Sequence, residues 1–197
     1  MPEDLLETNY VVNLTLTNIF KQLDNKDIME PSFTYKHRAE IAPSINTLPE
    51  FKAAVVTHLE NQSFSNVLDI FYLLEQYNGC DFKQIACFSN EKYIRFNVYK
   101  SSEVDIQLIS WSPQQGSPKH NHPNQGCLMK ILEGSLTETR YSSKNVGQVV
   151  NKGKYSVGDI LFIQDSLGYH VIENREVQPA ISLHVYAPGF YKPEIIQ

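Results

Sequence analysis

The hydrophobic residues of the chain follow two different periods. In residues 1–90 they recur at intervals of three and four, as on the buried face of an amphipathic helix. We predict helices over residues 13–23, from Thr47 through Leu59, and from a cap at Ser65 to Asn78-Gly79. The second of these begins with a capping-box pattern, because Glu50 follows Thr47 by three positions and a proline lies between them.

After residue 90 the pattern changes to the alternation of half-buried strands, and Ile94, Phe96 and Val98 share one predicted face. Turn residues divide the remainder into further predicted strands over 105–111, 127–132, 136–141, 146–150, 159–163, 169–173 and 181–186. Short strands that follow a helical segment are typical of an antiparallel barrel or jelly roll. We therefore predict one mainly β domain over 1–197, helical in 1–90 and a β-barrel over 91–197.

Composition is that of an ordinary globular protein. The 197 residues are 42% hydrophobic and 20% charged, which suits one ordered domain. A net charge of -5 argues against a nucleic-acid partner, and no apolar stretch is long enough to cross a bilayer. The acidic start of the chain has the wrong sign for a secretory or mitochondrial signal, and three irregularly spaced cysteines suit reduced thiols. We expect a cytoplasmic monomer without a nucleic-acid or membrane partner.

The first group of residues that could take part in catalysis or metal binding is His120-Asn121-His122. Residues two apart on a strand point to the same face, so both imidazoles can converge inside a barrel. A third imidazole, that of His170, lies on a later predicted strand. Three neutral imidazoles can hold one metal ion and leave open positions for substrate and for oxygen or water. Taken alone, the cluster would more often belong to a polar surface strand, since surface histidines are common.

The spacing around these histidines resembles the two metal-binding motifs of the cupin superfamily, with Cys127 at the position where most cupins carry glutamate. With that cysteine, residues 93–188 resemble the thiol dioxygenase branch, and within it the eukaryotic cysteine dioxygenase family. The matching segments are Tyr93-Ile94-Arg95, Trp111, 116–122 (GSPKHNH), 127–134 (CLMKILEG), Glu138-Thr139, 165–170 (DSLGYH) and 182–188 (SLHVYAP).

The resemblance implies a cupin-type fold and a non-haem iron(II) enzyme that oxidises L-cysteine with dioxygen to cysteine sulfinic acid, on the catabolic route to taurine and sulfate. It also implies a role for each matching residue. These roles are iron ligation by His120, His122 and His170; a thioether crosslink between Cys127 and Tyr186; carboxylate binding by Arg95 with Tyr93 beside it; hydrogen bonds from Ser182 and His184 toward Tyr186; packing by Trp111; and a cis peptide bond at Ala187-Pro188.

The chemistry of these residue types agrees with those roles. Three neutral ligands leave the ion its full positive charge, which favours an anionic thiolate. The planar guanidinium of Arg95 can bind a carboxylate through two hydrogen bonds. Two departures from the family pattern concern loop geometry: Gln114 replaces a glycine that opens the first motif, and Gly126 replaces a bulkier residue, which we expect to open the cavity.

Several alternatives stay open at this stage. The thiol substrate could instead be 3-mercaptopropionate, cysteamine or the N-terminal cysteine of a peptide, although Arg95 favours a free carboxylate. A non-catalytic metal-binding cupin is a second possibility, and a zinc isomerase or hydrolase is a third, since three histidines also suit zinc. His37 and His58 have no matching partners and are predicted to lie on the surface.

Overall fold

The structure is a computed structural model and describes residues 44–145 and 147–196. The predicted helix over 13–23 and the predicted surface residue His37 lie outside these ranges, and the single domain over 1–197 stays a prediction. The described helices are α1 (Leu48–Asn61) and α2 (Phe71–Gln76), with 3-10 helices at Val67–Ile70, Asp81–Gln84 and Asp165–Leu167. None of the helices in the described ranges is long and apolar enough to span a membrane.

The predicted capping box of α1 is confirmed. Thr47 Oγ1 accepts a hydrogen bond from the Glu50 amide at 3.2 Å, and the Glu50 carboxylate accepts one from the Thr47 amide at 3.2 Å. The buried face of α1 includes Phe51, Val55 and His58. The surface prediction for His58 is wrong, because its ring is only 5% exposed and its Nδ1 lies 3.2 Å from the Tyr72 hydroxyl, which allows the polar ring to be buried.

The predicted helix after Ser65 consists of two shorter pieces, a 3-10 turn followed by α2. Its cap is Asn66 rather than Ser65, since Asn66 Oδ1 accepts from the Leu68 amide at 2.8 Å. The helix ends at Gln76, two residues before the predicted stop at Asn78. A side chain from the neighbouring sheet binds this end, because Lys130 Nζ donates to three main-chain carbonyl oxygens, those of Leu74, Glu75 and Tyr77, at 2.7 to 3.1 Å.

The described strands form two antiparallel sheets, which confirms the prediction of a mainly β, antiparallel fold. They are β1 (Ile94–Lys100), β2 (Asp105–Trp111), β3 (Cys127–Glu133), β4 (Ser135–Tyr141), β5 (Val149–Ser156), β6 (Ile160–Ile163), β7 (Tyr169–Glu173) and β8 (Ala180–Tyr186). The order is β1-β2-β8-β3-β6 in one sheet and β5-β4-β7 in the other. One core cluster draws on both sheets, with Ile109, Met129 and Leu161 from the first and Leu136 and Ile172 from the second.

Two strand predictions need correction. The strand predicted over 146–150 is observed as β5, Val149–Ser156, because the run Lys152-Gly153-Lys154 lacks the apolar alternation by which a strand is recognised in a sequence. In β1 the predicted face of Ile94, Phe96 and Val98 is not continuous. The register shifts after Asn97, as at a β-bulge, and Phe96 is 44% exposed.

Candidate active site

His120 and His122 do not lie on a regular strand, so the predicted strand geometry is wrong. Prolines at 113, 118 and 123 interrupt this segment, and proline cannot donate to a β-ladder. Instead His120 forms an isolated bridge with His170 on β7, in which each main-chain amide donates to the other residue's carbonyl oxygen at 3.1 Å. This bridge brings the distant segments together, and the three ring centroids lie 4.3 to 4.9 Å apart.

The three imidazoles are arranged to bind one ion. All three residues are buried, and one ring nitrogen from each lies within 4.8 Å of the others. His120 Nδ1 donates to the Pro118 carbonyl oxygen at 2.8 Å, and His170 Nδ1 lies 2.8 Å from Glu138 Oε1. Each of these bonds fixes a ring and leaves its Nε2 free. The Nδ1 of His122 is buried and has no hydrogen-bond partner in the described ranges.

Burial sets the charge of these rings. It lowers the pKa of His120, and it lowers the pKa values of His122 and His170 well below the ordinary value, because a charged ring is poorly solvated there. The three imidazoles are therefore neutral at physiological pH, which is the form that binds a metal ion. Three buried neutral nitrogen donors fit a resident iron(II) ion, and the donor set by itself would also accept zinc.

A buried ion pair on β4 supports the triad, and the sequence analysis did not assign it a role. Glu138 is 1% exposed, and its Oε2 lies 2.9 Å from Arg140 Nε, while its Oε1 faces His170. Burial raises the pKa of Glu138 above its ordinary value, and the nearby Arg140 guanidinium offsets this rise only in part. A signal was present in the sequence, because Glu138 and Arg140 continue the inward face that begins at the buried Leu136.

Three residues of β8 form a continuous hydrogen-bonded chain, as the resemblance implies: Ser182, His184 and Tyr186. Ser182 Oγ lies 2.8 Å from His184 Nε2, and the other ring nitrogen of His184 lies 3.2 Å from the Tyr186 hydroxyl. Trp111 Nε1 donates to Ser182 Oγ at 2.9 Å from the neighbouring strand β2. Burial is the main reason that the pKa of His184 is lowered to about 3, and the neighbouring Arg95 and His120 also disfavour a positive charge there. A neutral His184 offers one donor and one acceptor, which suits a link between two hydroxyl groups.

Cys127 and Tyr186 lie directly opposite each other on the paired strands β3 and β8. The thiol is 3% exposed, and its Sγ lies 4.0 Å from His184 Nδ1. Burial raises the pKa values of both the Cys127 thiol and the Tyr186 phenol, so both groups are protonated at neutral pH. The structure thus places the two predicted crosslink partners beside the end of the β8 hydrogen-bonded chain.

Arg95 lies on β1 and is exposed to solvent. Its guanidinium donates to the Tyr93 hydroxyl at 3.1 Å, and its central carbon lies 5.2 Å from the centre of that ring. Tyr93 in turn stacks on Trp111, with ring centroids 4.6 Å apart. Arg95 lines a cavity together with His120 and Tyr186. Within the described ranges it forms no ion pair with a protein carboxylate, so its charge is available to a ligand.

The two loop departures have structural explanations. Gln114 adopts φ 64, the left-handed conformation that a glycine at this family position takes without strain. Gly126 has φ 91, and a Cβ atom there would come within 2.6 Å of the Phe162 ring. The space left by the missing side chain is filled by Phe162, so the expectation that Gly126 opens the cavity is wrong. The Ala187-Pro188 peptide bond is cis, as the resemblance implies.

Comparisons with known proteins agree with this geometry. The sequence model of the family described as cysteine dioxygenase type I matches residues 40–194. The chain is 30% identical to cysteine dioxygenase type 1 of Rattus norvegicus over 133 residues, which are 64% of this chain and 66% of the relative. It is 31% identical to the Danio rerio protein over 134 residues, 64% of this chain and 67% of the relative. The alignment with the rat protein thus spans slightly less than two thirds of that protein's length.

Among solved structures, a Klebsiella pneumoniae protein with a double-stranded β-helix domain is 22% identical, with a TM-score of 0.49, and the match covers 58% of this chain and 93% of that one. The family match includes every segment that contributes to the site, from Tyr93 to Tyr186. The chain therefore belongs to the cysteine dioxygenase type I family.

Proposed function

We propose that this protein is a non-haem iron(II) dioxygenase that oxidises the thiol of L-cysteine with dioxygen to cysteine sulfinic acid. The observation that carries the proposal is a cluster of three buried neutral imidazoles, one of which, that of His120, lines a cavity together with Arg95 and Tyr186. A metal-binding group, a carboxylate-binding group and a phenol therefore meet in one place. Family membership and the activity named for the rat and zebrafish relatives support the same reaction.

His120, His122 and His170 would hold the iron. When bound, iron(II) supplies the redox chemistry by which dioxygen reacts with a thiolate sulfur. The contribution of the protein is to fix the ligands. The Pro118 carbonyl oxygen orients the His120 ring, and the Glu138 carboxylate orients the His170 ring, each over 2.8 Å. These contacts keep a ring nitrogen of His120 and one of His170 directed toward a common point before any ion binds.

Arg95 would bind the substrate carboxylate. Its planar guanidinium can form two parallel hydrogen bonds to a carboxylate, and its contact with the Tyr93 hydroxyl limits the positions that the guanidinium can adopt. No carboxylate ligand offsets the charge of a metal ion at the three histidines. Together with Arg95, a bound metal ion would attract a substrate that carries both a thiolate and a carboxylate, and Asp105, which also lines the cavity, is paired with Lys100 over 3.6 Å.

Tyr186 would present a protonated hydroxyl to the cavity, in an orientation fixed by the hydrogen bond with His184. In the arrangement that uses each donor once, Trp111 donates to Ser182, Ser182 donates to His184, and His184 donates to the Tyr186 oxygen. The Tyr186 proton is then free to donate toward a ligand in the cavity. This chain of hydrogen bonds restricts the phenol to one position, so a substrate meets a preorganised donor.

We further propose that Cys127 and Tyr186 become joined by a thioether between the sulfur and the phenol ring. Formation of the carbon–sulfur bond breaks the S–H bond of Cys127 and one C–H bond of the ring, and dioxygen accepts the two protons and two electrons and becomes hydrogen peroxide. Support comes from the cross-strand pairing of the two residues and from the position of both side chains beside His184 Nδ1, which lies 4.0 Å from Cys127 Sγ and 3.2 Å from the Tyr186 hydroxyl. The crosslink would hold the phenol in place more firmly than hydrogen bonds alone, because it removes the remaining freedom of the ring.

The proposed reaction is tested by oxygen uptake of the iron-loaded protein with L-cysteine, with quantification of cysteine sulfinic acid in the same samples. We expect one molecule of sulfinate for each molecule of dioxygen consumed. Metal-free and zinc-loaded protein are the matched controls, since zinc fits the same ligands without redox activity. Absence of uptake at full iron occupancy would refute the proposal, and equal rates with zinc would assign the chemistry to something other than iron.

We propose a cytoplasmic location. Cys80, Cys87 and Cys127 are all free, and Cys80 and Cys87 are exposed, as expected where thiols stay reduced. The expected monomer stays a prediction, which light scattering of the purified protein would test.

A further inference from the structure

The chain that follows β8 returns to the segment between the metal-binding histidines. Asn121 Oδ1 accepts hydrogen bonds from the Tyr191 hydroxyl and from the Glu194 amide, the latter at 2.8 Å. The Asn121 amide donates to the Glu194 carbonyl oxygen at 3.2 Å, and the Ile196 amide donates to the Lys119 carbonyl oxygen at 2.9 Å. We call residues 190–196 the C-terminal strap. Its position is fixed relative to the histidines, because Asn121 lies between His120 and His122.

The strap forms part of the wall of the substrate cavity. Tyr191 and Pro193 line the same cavity as Arg95 and Tyr186. Burial, with the negative charges of Asp165 and Glu194, raises the pKa of Tyr191 to about 12, so its hydroxyl is a permanent donor to Asn121 at neutral pH. The Tyr191 ring is therefore held at the cavity in two ways. Its hydroxyl is hydrogen-bonded to Asn121, and the main chain of the strap is hydrogen-bonded at Glu194 and Ile196.

We propose that Tyr191, held in place by Asn121, is a specificity-determining residue that limits the length of the thiol this cavity accepts. The inference rests on the proposed function and names the substrate class further: a free amino-acid thiol fits, and a cysteine extended by a peptide bond at its carboxyl group does not. The extension would leave the cysteine carboxyl carbon at Arg95, and the wall of the cavity that Arg95 lines includes Tyr191 and Pro193 of the strap.

A rigid ring discriminates better than a flexible side chain would. An aromatic side chain has few rotatable bonds, and here its polar tip is occupied by Asn121, so the ring cannot turn aside without breaking a hydrogen bond. Discrimination by steric exclusion leaves the binding of the smaller ligand nearly unchanged. The effect of removing Tyr191 is therefore expected on the longer thiol and not on L-cysteine.

Binding of L-cysteine and of cysteinylglycine to the iron-loaded, full-length protein, measured by calorimetry without oxygen, tests this proposal. In Tyr191→Ala we expect cysteinylglycine to bind about tenfold more tightly than in the wild type, with L-cysteine affinity little changed. Tyr191→Phe keeps the ring and loses the bond to Asn121, so a smaller gain is expected. Phe190→Ala is the matched control, because Phe190 is the neighbouring aromatic residue, 57% exposed and absent from the cavity wall.

The proposal is overturned if cysteinylglycine affinity is unchanged in Tyr191→Ala, or if Phe190→Ala raises it equally. It is also overturned if the ratio of the two affinities changes only because L-cysteine binds less well. The readout is equilibrium binding, so the result does not depend on turnover. A wild-type protein that oxidises neither thiol would refute the proposed dioxygenase activity, while the affinity ratio would still decide the role of Tyr191.

Discussion

At the scale of single residues, the partner of a buried group decides its role more than burial does. His58 and His170 are both buried, and burial lowers the pKa of each. The Nδ1 of His58 meets a neutral phenol, whereas the Nδ1 of His170 meets the carboxylate of Glu138. Sequence spacing identified His170 through a family motif. It could not identify the burial of His58, because the partner Tyr72 is supplied by tertiary packing.

If Arg95 binds the substrate carboxylate, a variant without the guanidinium should lose activity toward L-cysteine and keep activity toward a thiol without a carboxylate. Arg95→Ala should lower kcat/KM for L-cysteine by about a hundredfold, since a charge-assisted pair of hydrogen bonds is lost, and leave cysteamine, which has no carboxylate, nearly unaffected. Steady-state kinetics with both thiols measure the difference. Lys92→Ala, which removes an exposed cation nearby, should affect neither. Equal losses for the two thiols in Arg95→Ala would show that the residue does not bind the carboxylate.

The contact between Glu138 and His170 predicts an effect on metal binding. Glu138→Gln keeps the shape of the side chain but removes the charge that orients the ring, so iron(II) affinity should fall by about 10- to 100-fold. Competition with a chelator of known affinity measures this without turnover. Glu133→Gln is a suitable control, because Glu133 pairs with Lys83 outside the site. Unchanged affinity in Glu138→Gln would mean that the carboxylate has only a structural role.

At the scale of elements, the sequence correctly predicted those helices and strands whose ends are marked by capping or turn residues. The capping box fixed the start of α1, and β2 and β7 match the predicted 105–111 and 169–173 because turn-forming residues border both runs. The edge strand β5 could not be placed correctly, since none of its residues is fully buried and its sequence shows no apolar alternation over Asn151 to Lys154. The end of α2 could not be placed either, because a lysine from another strand binds its last carbonyl oxygens.

Because Lys130 of β3 binds the end of α2, its titration should make the free energy of unfolding depend on pH. Burial, only partly offset by Glu75, lowers the pKa of Lys130 from 10.5 to about 8. Between pH 8 and 10.5 the unfolded chain therefore binds more protons at this residue than the folded one, so its contribution to the free energy of unfolding rises with pH across that window. Each pKa unit is worth about 1.4 kcal/mol, which gives a rise of roughly 3 kcal/mol.

Urea unfolding of the wild type and of Lys130→Met at several pH values measures this contribution, because the other titrating groups are common to both proteins. The free energy difference between the two should move in favour of the wild type as the pH rises from 8 to 10.5. Below pH 8 the difference should be constant, since Lys130 is then charged in both states. Parallel curves over the whole range would contradict the lowered pKa.

At the scale of the whole molecule, the site exists because two sheets bring separate segments together. His170 comes from the three-stranded sheet, whereas Arg95, Cys127 and Tyr186 come from the five-stranded sheet. The motif resemblance could predict which residues take part, because spacing within each segment is local. It could not predict that His120 is held by a single bridge to His170, or that the C-terminal strap binds Asn121, since both depend on contacts between distant parts of the chain.

The crosslink predicts a property of the intact molecule. Protein purified after aerobic turnover should contain a population lighter by two hydrogens, which intact-mass measurement resolves. Cys127→Ser and Tyr186→Phe are the two variants to compare. Cys127→Ser removes the sulfur and should abolish this species, while Tyr186→Phe should abolish it by removing the activating hydroxyl. A mass deficit that persists in Cys127→Ser would show that another pair of residues has reacted.

The most direct test of the central claim is the fate of dioxygen itself. Iron-loaded protein should be incubated with L-cysteine under oxygen-18 gas in ordinary water, and the product analysed by mass spectrometry. The account predicts cysteine sulfinic acid in which both sulfinate oxygens carry the heavy isotope. A product with one labelled oxygen or none, or the absence of sulfinate, would contradict it, because the second oxygen would then come from water or no dioxygenation would take place.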